Sequence, residues 1–166
     1  METINRAQWK TLLTEAMRGK PEAQWEVGYY HQEGAAEESD KVVIRKDLMK
    51  AVQWYTLAAE QGYAHAQQAL GVLLSSGDGI EPDFDAAIAW SEKAVAQGDA
   101  SAAHNLGCIY RDLQKPAKSF RCYRQAARMG DLDALFELAL CYLFGYGVKK
   151  NQAAAYDCLR SILDGD

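Results

Sequence analysis

The chain has 166 residues, 49% of them hydrophobic and 25% charged, which fits one globular domain or one short repeat array and excludes a disordered chain. A formal charge of -5 with no basic stripe to offset it argues against nucleic acid as the main partner. No long apolar run occurs, so no membrane span is expected.

At the start, METINRAQWKTLLTEAMRG lacks the continuous apolar core of a secretion signal, and the expected localisation is cytoplasmic. In that setting Cys108, Cys122, Cys141 and Cys158 read as free thiols. Trp9, Leu12, Leu13 and Ala16 share one helical face and the segment ends at Gly19, which predicts a lone capping helix within residues 1–20.

From there the sequence repeats itself. One helical phrase recurs as AQWEVGYYHQEG from Ala23, AQQALGVLLSSG from Ala66, AAHNLGCIYRDL from Ala102 and ALFELALCYLFG from Ala134. In register these place Val27, Leu70, Leu106 and Leu138 at an apolar position, followed by a small residue at Gly28, Gly71, Gly107 and Ala139. A second phrase follows each, with Trp54, Trp90, Cys122 and Cys158 equivalent. Apolar residues at spacings of three and four make both phrases amphipathic helices. Asp47, Asp83 and Asn151 stand where a helix N-cap is wanted, as do Asp99 and Asp131 for the first-type helices, while Pro21 and Pro116 suit first turns. Gly62, Gly98 and Gly130 fit left-handed C-terminal caps. Gly77/Gly79 and Gly145/Gly147 read as tight turns rather than a phosphate loop, which needs a flanking strand and a lysine-Ser/Thr pair.

One helical hairpin cannot bury its apolar stripe alone, whereas stacked hairpins can. The fold class is therefore all-α, about four helix hairpins plus the N-terminal cap: residues 1–20, 21–63, 64–99, 100–131 and 132–166. The small residues let neighbouring helices approach, and Trp54 and Trp90 are expected to fill wider spaces. The first copy carries a longer loop, EGAAEESDKVVIRKD.

These phrases resemble the Sel-one-like repeat (SLR), a relative of the tetratricopeptide repeat. The second copy carries the likeness best, through Ala66, Leu70, Gly71, Gly77, Gly79, Asp83, Ala87, Trp90, Lys93, Ala94 and Gly98. The resemblance implies a right-handed α-α superhelix and a role as a protein-binding adaptor or scaffold. Some bacterial members resemble immunity proteins that neutralise a toxin, which is the alternative reading. Cysteine-rich secreted members pair cysteines between the two helices of each repeat and suggest a penicillin-binding activity; the cysteines here lie elsewhere in the pattern, which undercuts that transfer and leaves a β-lactam-type hydrolase as the third reading, behind adaptor and immunity protein.

In such arrays the first-type helices line a concave groove. By that register the partner-binding residues are Trp25, Tyr29, His65, Gln68, His104, Arg111, Asp112, Phe136 and Leu140, with Trp25, Tyr29, Arg111 and Phe136 as anchors. Aromatic rings and arginine bury large areas with few rotors. The opposing expectation is that Trp25 and Phe136 pack between repeats. Phe144 and Tyr146 either cap the last repeat or mark a second contact. His31 reads as a packed core histidine. No cofactor or metal is expected, because no cluster has ligand spacing, and the chain is not expected to be an enzyme. The one pair with nucleophile chemistry is Cys108 four residues after His104, on one helical face.

Overall fold

The structure, a computed structural model, describes residues 4–35 and 44–164. Among them are nine helices: α1 (Arg6–Met17), α2 (Pro21–Glu33), α3 (Leu48–Glu60), α4 (Ala64–Ser76), α5 (Phe84–Ala96), α6 (Ala100–Asp112), α7 (Pro116–Arg128), α8 (Leu132–Phe144) and α9 (Gln152–Asp164). Most of the inserted loop of the first copy lies outside the described residues. Its base is closed by an antiparallel bridge in which Ala35 N–H donates to Ile44 O at 2.9 Å and Ile44 N–H donates back at 3.3 Å.

The helices start where capping chemistry places them. Asp47, Asp99, Asp131 and Asn151 each accept from the backbone N–H three residues on, at 2.7–3.1 Å. Pro116 occupies the first turn of α7, where its missing N–H costs nothing. Gly62, Gly98 and Gly130 have φ of 88°, 91° and 93°. The third copy, which lacks the glycine pair, makes its turn with Gln114 at φ 54°.

The chain divides into two compact units, residues 1–83 and 84–166. In the first, α2 packs between α1 and α3, and α4 packs on α3. Its core holds Leu12, Ala16, Ala23, Val27 and Tyr30, flanked by half-buried Trp9, Leu13 and Trp54. Gln24 is buried here and donates from Nε2 to Ala16 O at 3.1 Å, satisfying a carbonyl at the end of the preceding helix. Gln67 does the same for Ala59 O at 3.1 Å. In the second unit, α6 packs on α5 and α7, and α8 on α7 and α9. Phe120, Tyr123, Leu138 and Cys141 form its main core, and Ala103, Ala126 and Ala134 form a tight alanine seam.

The structure corrects the packing role given to the tryptophans. Trp54 and Trp90 are only half-buried, and Trp90 carries the Lys93 ammonium 3.7 Å from its ring centroid. The side chains that fill the inter-helix space stand one place further along the register: Tyr55, which follows Trp54, and Tyr123, which follows Cys122, the third copy's counterpart of the tryptophans, each 1% exposed. They lie in notches made by Gly28 and Gly107: a Cβ at Gly28 would come 2.7 Å from the Tyr55 ring, and one at Gly107 would overlap the Tyr123 ring. Gly147 is fixed by a close approach of another kind, since a Cβ there would strike the Pro116 backbone.

Candidate partner-binding surface

The first unit brings Trp25 and Tyr29, one turn apart on α2, into a stack with ring centroids 6.0 Å apart and an interplanar angle of 24°. His65 of α4 lies 5.9 Å from Trp25, and Tyr63, just before α4, lies 6.2 Å from it. Trp25 and Tyr29 are half-buried and His65 is exposed. These rings pack on one another, and Tyr29 also meets Tyr30 of the core around Val27 edge-on, with centroids 6.2 Å apart. Gln68, next along α4, is half-buried. Tyr63 is absent from the sequence reading, yet a signal exists. It holds the N-cap place that Asp99 and Asp131 hold in later copies, where a hydrogen-bonding side chain is favoured. An aromatic residue there breaks a local rule, which is how functional positions announce themselves. Burial raises the Tyr63 phenol above its ordinary range, helped by the negative charge of Glu22 and Glu26.

The second unit places His104, Cys108 and Arg111 along α6. His104 Nε2 lies 3.8 Å from Cys108 Sγ, and the Tyr123 hydroxyl donates to the same sulfur at 3.6 Å. Arg111 donates to Glu137 of α8 at 3.2 Å and sits 3.6 Å from Asp112. Its backbone carbonyl also accepts from the Tyr146 hydroxyl at 3.4 Å. Arg111 and Asp112 are both exposed, and Arg111 is held by its ion pairs within the unit.

Further along, Phe136, Leu140 and Leu143 of α8 face Tyr156, Leu159 and Leu163 of α9 across an apolar groove of about 830 Å³. Phe136 is 50% exposed, so it does not act as a core side chain. The α9 wall was also missed by the sequence reading, although register shows it. Tyr156 and Leu159 are the counterparts of Phe120 and Tyr123, which are buried one copy earlier. The terminal aromatics split in role: Tyr146 packs against the core, and Phe144 is 67% exposed.

His31 is half-buried with its ring edge-on to Trp9 at 6.1 Å, and its Nδ1 has no hydrogen-bond partner among the described residues. Burial holds its pKa below the ordinary value. No group of three His, Cys, Asp or Glu side chains that could hold a metal occurs among the described residues. No helix there is long and apolar enough to cross a membrane. All four cysteines are free.

A family model described as the Sel1 repeat matches residues 21–63, 64–99, 100–131 and 132–164. Chitin synthase regulatory factor 3 of Schizosaccharomyces pombe is 30% identical over 132 residues, 79% of this chain, and the match spans only 10% of that relative's length. Among solved structures, c5321, a protective antigen of uropathogenic Escherichia coli with an SLR fold, superposes with a TM-score of 0.80 at 29% identity. That match covers 95% of this chain and 33% of the other. A repeat protein from Oxalobacter formigenes gives 0.71 at 32% identity, over 89% of this chain and 57% of the other. The immunity protein Pa5087 of Pseudomonas aeruginosa gives 0.54 at 16% identity, over 95% of this chain and 73% of the other, a likeness of fold alone.

Proposed function

The chain belongs to the Sel1 repeat family, and from that premise we propose that it works by holding another protein through the exposed register of its first-type helices. The observation that carries this reading is the Trp25–Tyr29–His65 ring cluster. Three aromatic side chains and Tyr63 gather in contact with one another and none of them is fully buried. Rings held in place by one another lose little further freedom on binding, which makes them efficient anchors. Phe136 and Leu140 offer apolar area in the second unit, and His104, Arg111 and Asp112 are its polar contributors. The relative described as a regulatory factor for an enzyme fits a chain that acts on a protein rather than on a small molecule. The net charge of -5 favours a basic partner through steering. An adaptor in the cytoplasm is the reading adopted; inhibition of a toxin enzyme is the same surface with a different partner.

The test is site-specific photocrosslinking in the native host. A benzophenone amino acid replaces Tyr29 or Phe136, with Gln53 on the exposed side of α3 as the control position. One protein captured from Tyr29 or Phe136, not from Gln53, and lost on Trp25→Ala in a chain that keeps its helical circular dichroism is the expected result. Equal capture from all three positions, or none, sinks the assignment. The partner's identity then separates adaptor from toxin inhibitor.

A further inference from the structure

We propose that Cys108 is a nucleophilic thiol, activated by His104, that is oxidised to a sulfenic acid by hydroperoxides. The chain holds four cysteines in four different settings, and only one has this geometry. Cys108 Sγ is met from two helices: by His104 Nε2 at 3.8 Å on α6 and by the Tyr123 hydroxyl at 3.6 Å on α7. Arg111, one turn on along α6, adds positive charge, itself balanced by Glu137 of α8. The contact with Cys108 favours the charged form of His104 against its burial, and the negative charges of Asp131, which caps α8, and Glu137 add to this. The imidazole thus has a carboxylate environment that supports a proton, and the sulfur has two donors that support a negative charge.

The balance of forces on each thiol agrees. Burial is the largest single influence on Cys108 and pushes it up, but the hydrogen bonds from His104 and Tyr123, with the charges of His104 and Arg111, outweigh it and hold the thiol below its ordinary value. The hydrogen bond to Cys108 raises His104. Burial pushes Cys122 and Cys141 up to about 11, and it also raises Cys158. Those three serve as internal controls.

Cys108 is half-buried, packed beside the core of Phe120, Tyr123 and Leu138. A small uncharged oxidant reaches such a sulfur more readily than a bulky or charged one. The thiol passes its proton to His104, and the thiolate attacks one oxygen of the peroxide. The S–O bond forms as the O–O bond breaks, and sulfur gives up two electrons. The leaving hydroxide or alkoxide takes the proton from the His104 imidazolium and departs as water or alcohol. The oxidant is the hydroperoxide, and the products are Cys108 sulfenic acid and water or alcohol.

The experiment treats the reduced full chain with hydrogen peroxide across a pH series, traps sulfenic acid with dimedone and quantifies each cysteine by peptide mass spectrometry. The expected result is labelling of Cys108 at roughly ten times the rate of Cys122, Cys141 and Cys158 near neutral pH, since thiolate fraction sets the rate. His104→Gln should slow Cys108 several-fold, move the midpoint of its pH profile upward and leave the other three unchanged. Equal labelling of the four cysteines overturns the proposal, and so does a folded His104→Gln chain whose Cys108 reacts as before. Should His104→Gln lose its helical circular dichroism, the wild-type profile decides. A Cys108 midpoint no lower than those of the other three rejects the activated thiol.

Discussion

At the scale of single residues, the contacts that decide most are the two glycine–tyrosine notches. Replacing Gly28 with Ala adds helix propensity of up to about 1 kcal/mol but drives a Cβ to 2.7 Å from the Tyr55 ring. The ring cannot yield freely, because it is 1% exposed and its hydroxyl donates to Gln32 Oε1 at 2.9 Å. Overpacking of this kind costs about 1–3 kcal/mol and should win. Urea unfolding is expected to show a net loss of stability for Gly28→Ala, partly recovered in Gly28→Ala/Tyr55→Leu; a stabilised single variant would refute the notch. The glycine was legible in the sequence as a small position, but its tyrosine was not. Trp54 and Tyr55 are adjacent, and about 100° of rotation separates neighbours on a helix. Periodicity marked the stripe, and residue size favoured the wrong neighbour. A second residue-scale prediction concerns His31. Its folded pKa lies below the unfolded value of 6.5, so the native state binds fewer protons there and stability rises with pH through that window. Thermal midpoints should fall as pH drops below about 6.5, and His31→Gln should flatten that slope. His104, shifted upward, contributes with the opposite sign.

At the scale of elements, every described helix after α1 has 13 residues, and the starts divide into those capped by an Asp or Asn side chain, as at α3, α6, α8 and α9, and those without a side-chain cap, as at α2, α4 and α7. Asp131→Ala should cost about 1 kcal/mol by removing the acceptor for Ala134 N–H. Lys115→Ala should cost nothing comparable, since Lys115 makes no capping hydrogen bond and Pro116 sets that turn. Chemical denaturation of the two variants side by side checks the contrast. The caps were legible because they depend on near neighbours in sequence. The buried glutamines were not. Gln24 reaches Ala16 O across eight residues and also accepts from Gln61 Nε2 at 2.7 Å, a join between three helices that no local pattern reveals. Gln24→Leu keeps the volume and strands the carbonyl, so a loss of about 1–3 kcal/mol is expected in the same measurement. Candidate site residues divide along this line. Trp25, Tyr29 and Phe136 stood out through their own outward register, whereas Tyr63 and the α9 wall show only when one copy is compared with another, Tyr63 against Asp99 and Asp131, and Tyr156 and Leu159 against Phe120 and Tyr123.

For the whole molecule, the sequence repeat and the compact units are out of phase. The period runs from a first-type helix to the second-type helix after it, as α4 with α5 within residues 64–99. The division of the chain falls inside that copy, after Asp83. Each unit opens on a second-type helix, α1 or α5, and α1 matches the role of α5 as the opening layer. Period alone could not reveal this, because a repeat in sequence records which segments are alike and not which ones cohere. Brief digestion with a broad-specificity protease should cut between Gly77 and Asp83, where six of seven residues are exposed, sooner than after Gly98. Mass spectrometry of the fragments checks the order. The same offset bears on how such genes can be shuffled. A crossover at a copy boundary, between residues 63 and 64, would exchange like for like on paper while separating α3 from α4, which pack together. A crossover at 83/84 would pass on whole bodies, so chimaeras joined there should outlive those joined where the alignment looks tidiest.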